Sequence, residues 1–181
     1  MSKYDPLNLL EIQPETLCLH CSRLPELIHY DDPAEKALIN ICSLLSNTIQ
    51  PHDSIDQALE EIKKTRIHFL LVVSRDGYLK GVISGQDILG EKPIKILQER
   101  RISRDHILVN MVMTTCQQFL VIDEHEMAHA KVGHIVSTLQ YHKKQYALIV
   151  KTENENFPEV LGIFALPELS RQLHENLSAK R

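Results

Sequence analysis

The sequence lacks three features that would point directly to a class of partner. No run of lysine or arginine exceeds two residues and the formal net charge is −4, so the basic patch that binds a phosphate backbone is missing. The longest apolar stretches, Phe69 to Val73 and Ile107 to Met113, fall far short of the ~20 residues of a membrane span. The first residues do not place an apolar segment after a basic one, as a secretion signal does. We expect a cytoplasmic chain with no nucleic-acid or membrane partner.

Cysteine is also scarce, with four residues in 181. A chain of this length buries enough core to fold without disulfides, so in a reducing compartment we expect free thiols. Cys18 and Cys21 have the CxxC spacing of a zinc knuckle. Neither a second CxxC nor a spaced histidine pair completes four ligands, so the sequence does not predict a zinc knuckle.

One pattern of strands and helices occurs twice. The first copy predicts, in order, a strand at 48–50, a helix at 55–62 capped by Asp53, a strand at 68–73, an Asp76-Gly77 turn, a strand at 79–83 and a helix from Ser84. The second copy predicts a strand at 119–122, a helix with apolar positions from Ala128 to Leu139, strands at 146–150 and 161–164 around a turn-rich stretch, and a helix from about Pro167. Gly81 and Gly162 hold equivalent places in the two copies. The chain is therefore internally duplicated.

The predicted fold class is α/β (α+β), with two pseudo-symmetric β-α-β-β-α repeats after an N-terminal helical extension. The extension is expected to hold one helix, capped by Asp32, with Pro33 at its first position and apolar residues at helical spacing as far as Leu45. The predicted ranges are 1–45 for the extension, 46–92 for repeat 1, 93–117 for a linker with a short helix, 118–175 for repeat 2 and 176–181 for a tail.

The repeated unit and the segment Gly81-Val-Ile-Ser84-Gly-Gln-Asp87 resemble the CBS domain, a family named for cystathionine β-synthase. The resemblance implies a regulatory pair of repeats, or Bateman module, that binds AMP, ADP, ATP or S-adenosylmethionine in the cleft between the repeats. It also implies a homodimer, a regulated protein partner, no catalysis and no required cofactor. The ribose-binding pattern of the family falls on Ser84 and Asp87. By the same analogy, the adenine lies near Ile49, Ile67 and His68.

The chemistry of Ser84 and Asp87 supports two interpretations, which are compatible. A carboxylate accepts hydrogen bonds from both hydroxyls of a ribose diol, and the serine adds a third polar group. The same Ser-x-x-Asp spacing also forms a capping box at the start of a helix. In the second repeat Ala165 replaces the serine and Glu168 the aspartate. We therefore expect one competent ligand site per chain at most, built on the first repeat.

A zinc-peptidase motif, HExxH, is matched by His125, Glu126 and His129. Two histidines one helical turn apart would bind zinc, with the glutamate as the general base. The third ligand of a metzincin is missing, because Val132 and Ile135 stand where glycine and histidine are required. A zinc-dependent hydrolase is therefore a remote alternative. The nearer alternative is a ligand-free module for dimerisation or protein interaction.

Overall fold

Two compact units make up the chain. The computed structural model describes residues 17–18, 27–65, 67–152 and 159–178. Leu44–Gln117 form the first unit, and the described residues before and after this stretch form the second unit. Both units are mixed α/β, which confirms the predicted fold class. Within the described ranges, no helix combines the length and the apolar character needed to cross a membrane.

The strands and helices follow one another along the chain with few long connections. In chain order they are β1 (Leu17–Cys18), β2 (Ile39–Asn40), α1 (Ile41–Leu44), β3 (Thr48–Ile49), α2 (Ile55–Lys64), β4 (Phe69–Val73), β5 (Leu79–Ser84), α3 (Gly85–Leu89), α4 (Glu91–Arg100), α5 (Val109–Val112), β6 (Thr114–Thr115), β7 (Leu120–Asp123), α6 (Glu124–Met127), α7 (Val132–Tyr141), β8 (Tyr146–Lys151), β9 (Glu159–Ala165) and α8 (Leu166–Ser178). The two copies of the predicted β-α-β-β-α pattern run from β3 to α3 and from β7 to α8.

The first unit is built on a four-stranded sheet in the order β3-β4-β5-β6. β3 is parallel to β4, and the other neighbours are antiparallel. Gly77 closes the β4–β5 hairpin with a φ of 83°, a left-handed conformation that glycine adopts without a steric penalty. The helices pack on one side of this sheet, where the buried core consists of Ile49, Ile55, Ala58, Ile62, Leu70, Val72, Ile83, Ile88, Ile107, Val109 and Val112.

Two details of the first unit differ from the sequence prediction. The cap of α2 is Ser54, whose hydroxyl accepts the Gln57 N–H at 3.2 Å, and not Asp53. The Asp53 carboxylate accepts the Gln50 N–H at 2.9 Å instead, which stabilises the turn before the helix. Helix α4 was not predicted. The whole of the predicted linker, 93–117, lies within the first unit, where it forms most of α4 together with α5 and β6.

The second unit has a five-stranded sheet in the order β1-β9-β8-β7, with β2 also paired to β9. β7 is parallel to β8, and β8 is antiparallel to β9. The N-terminal segment completes this unit: the carbonyls of Asp32 and Tyr30 accept the N–H groups of Val132 and Gly133, each at 2.9 Å. These two donors belong to the first turn of α7 and have no partner within the helix, so the extension satisfies them.

The single helix predicted from Asp32 to Leu45 is not formed. A 3-10 turn covers Ala34–Ala37, β2 follows, and α1 is one turn long. The helix is interrupted because Ile39 and Asn40 pair with Ile163 and Gly162 of β9. Tertiary strand pairing thus overrides the local helical periodicity.

Candidate functional site

Ser84 and Asp87 form a closed hydrogen-bonded pair at the junction of β5 and α3. The Ser84 hydroxyl accepts the Asp87 N–H at 3.2 Å. One carboxylate oxygen, Oδ2, accepts both the Ser84 N–H at 2.9 Å and the Ser84 hydroxyl at 2.7 Å. This is a complete capping box, as the spacing predicted. Both side chains are almost buried, with 9% and 6% of Ser84 and Asp87 exposed.

The other oxygen of the Asp87 carboxylate is also occupied. The Lys92 ammonium lies 2.5 Å from Oδ1 and donates a second hydrogen bond to the Val112 carbonyl at 3.0 Å. The Lys92 side chain is 49% exposed, whereas that of Asp87 is 8% exposed. A buried carboxylate is costly without a partner, so this ammonium compensates its charge. No motif or spacing in the sequence indicates a role for Lys92, because its position depends on helix α4, which the sequence analysis does not predict.

Ile67 and His68 lie beside Ser84. The His68 carbonyl accepts the Gly85 N–H at 3.2 Å, and the next residue, Phe69, is paired with Ser84 across the β4–β5 ladder. Ile67 is half-buried and His68 is exposed. The structure thus brings four of the five predicted ligand-binding residues to one end of the sheet.

Ile49, the fifth predicted residue, lies elsewhere. It pairs with Val72, three residues along β4 from Phe69, which corresponds to about 10 Å at the usual rise of a strand. Its side chain is 8% exposed and belongs to the core on the helix-covered side of the sheet. The structure therefore does not join the Ile49 side chain to the Ser84 and Asp87 pair.

Gly81, the first residue of the Gly-x-x-Ser-x-x-Asp pattern, has a packing role. It is paired with Thr115 of β6, and a Cβ atom at this position would lie 2.2 Å from the Thr114 carbonyl oxygen. Gly162 is paired with Asn40 of β2, and a Cβ there would lie 2.7 Å from the Ile39 carbonyl oxygen. In each repeat an added strand passes so close that only glycine fits.

Comparisons with known proteins agree with this architecture. Residues 46–93 match the family model of the CBS domain. The chain contains a CBS domain. The family match confirms the resemblance inferred from Gly81, Ser84 and Asp87. The first copy of the duplicated pattern is called the first CBS repeat below. No curated protein matches the sequence.

Solved structures share the fold at low sequence identity. CBSX2 of Arabidopsis thaliana in complex with AMP is 20% identical with a TM-score of 0.51, and the match covers 83% of this chain and 99% of CBSX2. A hemolysin-like protein containing a CBS domain, from Oenococcus oeni PSU, is 15% identical with a TM-score of 0.52, covering 80% and 91%. GMP reductase C318A of Trypanosoma brucei is 16% identical with a TM-score of 0.51, and the match covers 78% of this chain but 27% of the reductase. The two-repeat fold is that of CBS-pair structures.

The second repeat keeps this backbone framework with different side chains. Ala165 pairs with Tyr146 as Ser84 pairs with Phe69, and the Leu166 N–H donates to the Gln145 carbonyl at 2.8 Å. Glu168 is buried, with 5% exposed, and its carboxylate accepts from the Arg171 guanidinium. A buried carboxylate with a cation is thus present in both repeats, while the hydroxyl is present only in the first.

The zinc-peptidase motif does not lie on one helix. Helix α6 ends at Met127, so His125 belongs to the helix and His129 to the turn that follows it. Both histidines are exposed. Among the residues that the structure describes, no three side chains of His, Cys, Asp or Glu are grouped as metal ligands. Cys21 of the CxxC pair lies outside the described residues.

Proposed function

We propose that the chain is a regulatory module whose first CBS repeat binds an adenosine-containing ligand: AMP, ADP, ATP or S-adenosylmethionine. Ser84 and Asp87 hold the ribose, and Ile67 and His68 flank the adenine. The module performs no catalysis; a protein partner senses the ligand-induced change. The observation that carries the proposal is the nearly buried Ser84 and Asp87 pair, placed beside His68 in a chain segment that matches the CBS domain.

The chemistry of the pair suits a ribose. A carboxylate presents about four acceptor positions, and a serine hydroxyl donates and accepts. CBSX2, which shares the fold, was solved in complex with AMP, and this supports the choice of ligand class. Ala165 removes the hydroxyl from the second repeat, so the proposal assigns one site per chain.

The proposed module is a cytoplasmic homodimer. Leu89 of α3 and Ile94 of α4, two helices in contact, have 68% and 54% of their surface exposed. Large exposed apolar side chains on neighbouring helices suit a protein interface.

A ligand-free structural module is the second candidate. The observation that favours it is that both oxygens of the Asp87 carboxylate already have partners within the chain. In that case the pair only caps α3 and neutralises a buried charge. The two candidates differ in a measurable outcome, which is whether adenosine ligands stabilise the fold.

Thermal unfolding with each of the four ligands tests the proposal. A ligand at 100 times its Kd stabilises a protein by about 2.7 kcal/mol, or roughly 5–10 °C in a chain of this size. We expect Ser84→Ala and Asp87→Asn to weaken binding at least about 10-fold, because each removes a hydrogen bond to the ribose.

Ser54→Ala is the matched control for these variants. It removes the capping box of α2 in the same unit and should cost a similar ~1 kcal/mol of stability while leaving ligand affinity unchanged. If no adenosine ligand raises the unfolding temperature of the unmodified chain, the structural candidate replaces the ligand-binding one. If Ser54→Ala loses as much affinity as Ser84→Ala, the loss reflects the lower stability of the first unit and not a contact of Ser84 with the ribose.

A further inference from the structure

The Asp87 carboxylate has one acceptor position left for a ligand. Of about four lone-pair positions on a carboxylate, Oδ2 uses two for the Ser84 N–H and hydroxyl, and Oδ1 uses one for the Lys92 ammonium. A ribose diol has two hydroxyl groups to donate. With Lys92 in place, the carboxylate accepts from one of them at most.

We propose that Lys92 sets the affinity of the Ser84 and Asp87 site, because its ammonium occupies the carboxylate position that the second ribose hydroxyl needs. This inference rests on the proposed function. Ligand binding then exchanges one partner of Oδ1 for another: the ammonium leaves and the hydroxyl donates in its place. No covalent bond is made or broken.

Lys92 is the partner that gives way most easily. The Ser84 N–H is fixed by the backbone, and the Ser84 hydroxyl is nearly buried within the cap. The Lys92 side chain is half exposed, and a lysine ammonium on its flexible stem regains strong hydration when it swings into water. Displacing Lys92 therefore costs less than dismantling the cap of α3.

The exchange has a structural consequence within the first unit. Lys92 also donates to the carbonyl of Val112, the last residue of α5, which lies two residues before β6 begins. Val112 is 1% exposed and part of the core. When the ammonium leaves Asp87, its hydrogen bond to Val112 is lost as well. Occupation of the carboxylate by ribose is thereby linked to the segment that leads into β6.

Isothermal titration with adenosine, which carries no phosphate, tests the proposal on the full chain. We expect Lys92→Met to bind adenosine about 5- to 10-fold more tightly than the unmodified chain, because no ammonium has to be displaced. Lys95→Met is the matched control. Lys95 lies on the same helix and pairs with exposed Glu91 at 3.2 Å, so its loss changes the charge equally and should leave the affinity unchanged.

A second measurement uses the unmodified chain and does not depend on how well Lys92→Met folds. Adenosine should increase the acetylation rate of Lys92 relative to that of Lys95, as measured by mass spectrometry, since the displaced ammonium is exposed to reagent. An unchanged or weaker adenosine affinity in Lys92→Met, with binding intact in the unmodified chain, overturns the role of Lys92. If Lys92→Met binds AMP more weakly and its affinity for adenosine is unchanged, Lys92 contacts the phosphate, and its role at the ribose is overturned as well. Absence of binding in every variant overturns the proposed function itself.

Discussion

Replacing Gly81 by alanine tests the packing role assigned to this glycine. The added Cβ would lie 2.2 Å from the Thr114 carbonyl oxygen, 3.1 Å from the Thr114 carbonyl carbon and 3.1 Å from the Thr115 Cα. Real Cβ atoms essentially never approach another heavy atom within 3.0 Å. All three neighbours are backbone atoms, so no side chain can rotate away. β6 has to move by roughly an ångström from β5.

The expected cost has two parts. Forcing an extra carbon into a packed site costs about 1–3 kcal/mol. Separating β5 from β6 also weakens the pairing of Gly81 with Thr115 and of Val82 with Thr114, at about 0.5–1.5 kcal/mol for each hydrogen bond lost. If both pairings are lost, we expect Gly81→Ala to lower the free energy of unfolding by about 2–6 kcal/mol in total. This corresponds to a decrease of about 5–25 °C in Tm for a chain of this size.

Urea and thermal unfolding followed by circular dichroism measure this change. Gly85→Ala is the control, because a Cβ at Gly85 meets no atom within 4 Å and the residue begins α3. It should be neutral or stabilising by up to about 1 kcal/mol, since alanine favours the helix more than glycine does. If Gly81→Ala is as stable as Gly85→Ala, the close approach of β6 is wrong.

Two further predictions concern Cys116 and the oligomeric state. Burial raises the pKa of the Cys116 thiol to about 11, so about one thiol in a thousand is ionised at pH 8 and iodoacetamide should modify it far more slowly in the folded chain than in urea. Peptide mass spectrometry measures both rates, and equal rates would contradict the burial. Light scattering after gel filtration should give twice the chain mass of 20.8 kDa, and Ile94→Lys should reduce it to the monomer mass. A monomeric unmodified chain would rule out the homodimer.

The sequence predicted the sheets well because their signals are local. The strand formers at 68–73, the Asp76-Gly77 turn and the return strand appear as β4, a glycine with positive φ and β5. The second copy, from β7 to α8, was found from the same signals. The residues of these segments favour the strand or turn that the structure contains, so local propensity and final structure agree.

The errors arose where a distant part of the chain decides the local structure. Ile39 and Asn40 look helical in sequence and become a strand because β9 lies beside them. The helix predicted with apolar positions from Ala128 to Leu139 is present as α7, but it begins only at Val132, where the carbonyls of Asp32 and Tyr30 accept its first N–H groups. Such pairings join residues that are 100 to 124 positions apart, and no periodicity in a short window reveals them.

The candidate site shows why a matched motif indicates a fold more securely than a ligand. In Gly-x-x-Ser-x-x-Asp, the close approach of β6 requires Gly81, and the cap of α3 uses Ser84 and Asp87. Each position of the motif therefore has a structural reason to be present that does not involve a ligand. The helix-capping role and the ligand-binding role differ at Oδ1 of Asp87, which the cap does not use and which accepts a hydrogen bond from Lys92. If a ribose binds here, it competes at that oxygen. A loss of affinity in Asp87→Asn combined with a gain in Lys92→Met would be a result that helix capping alone does not produce.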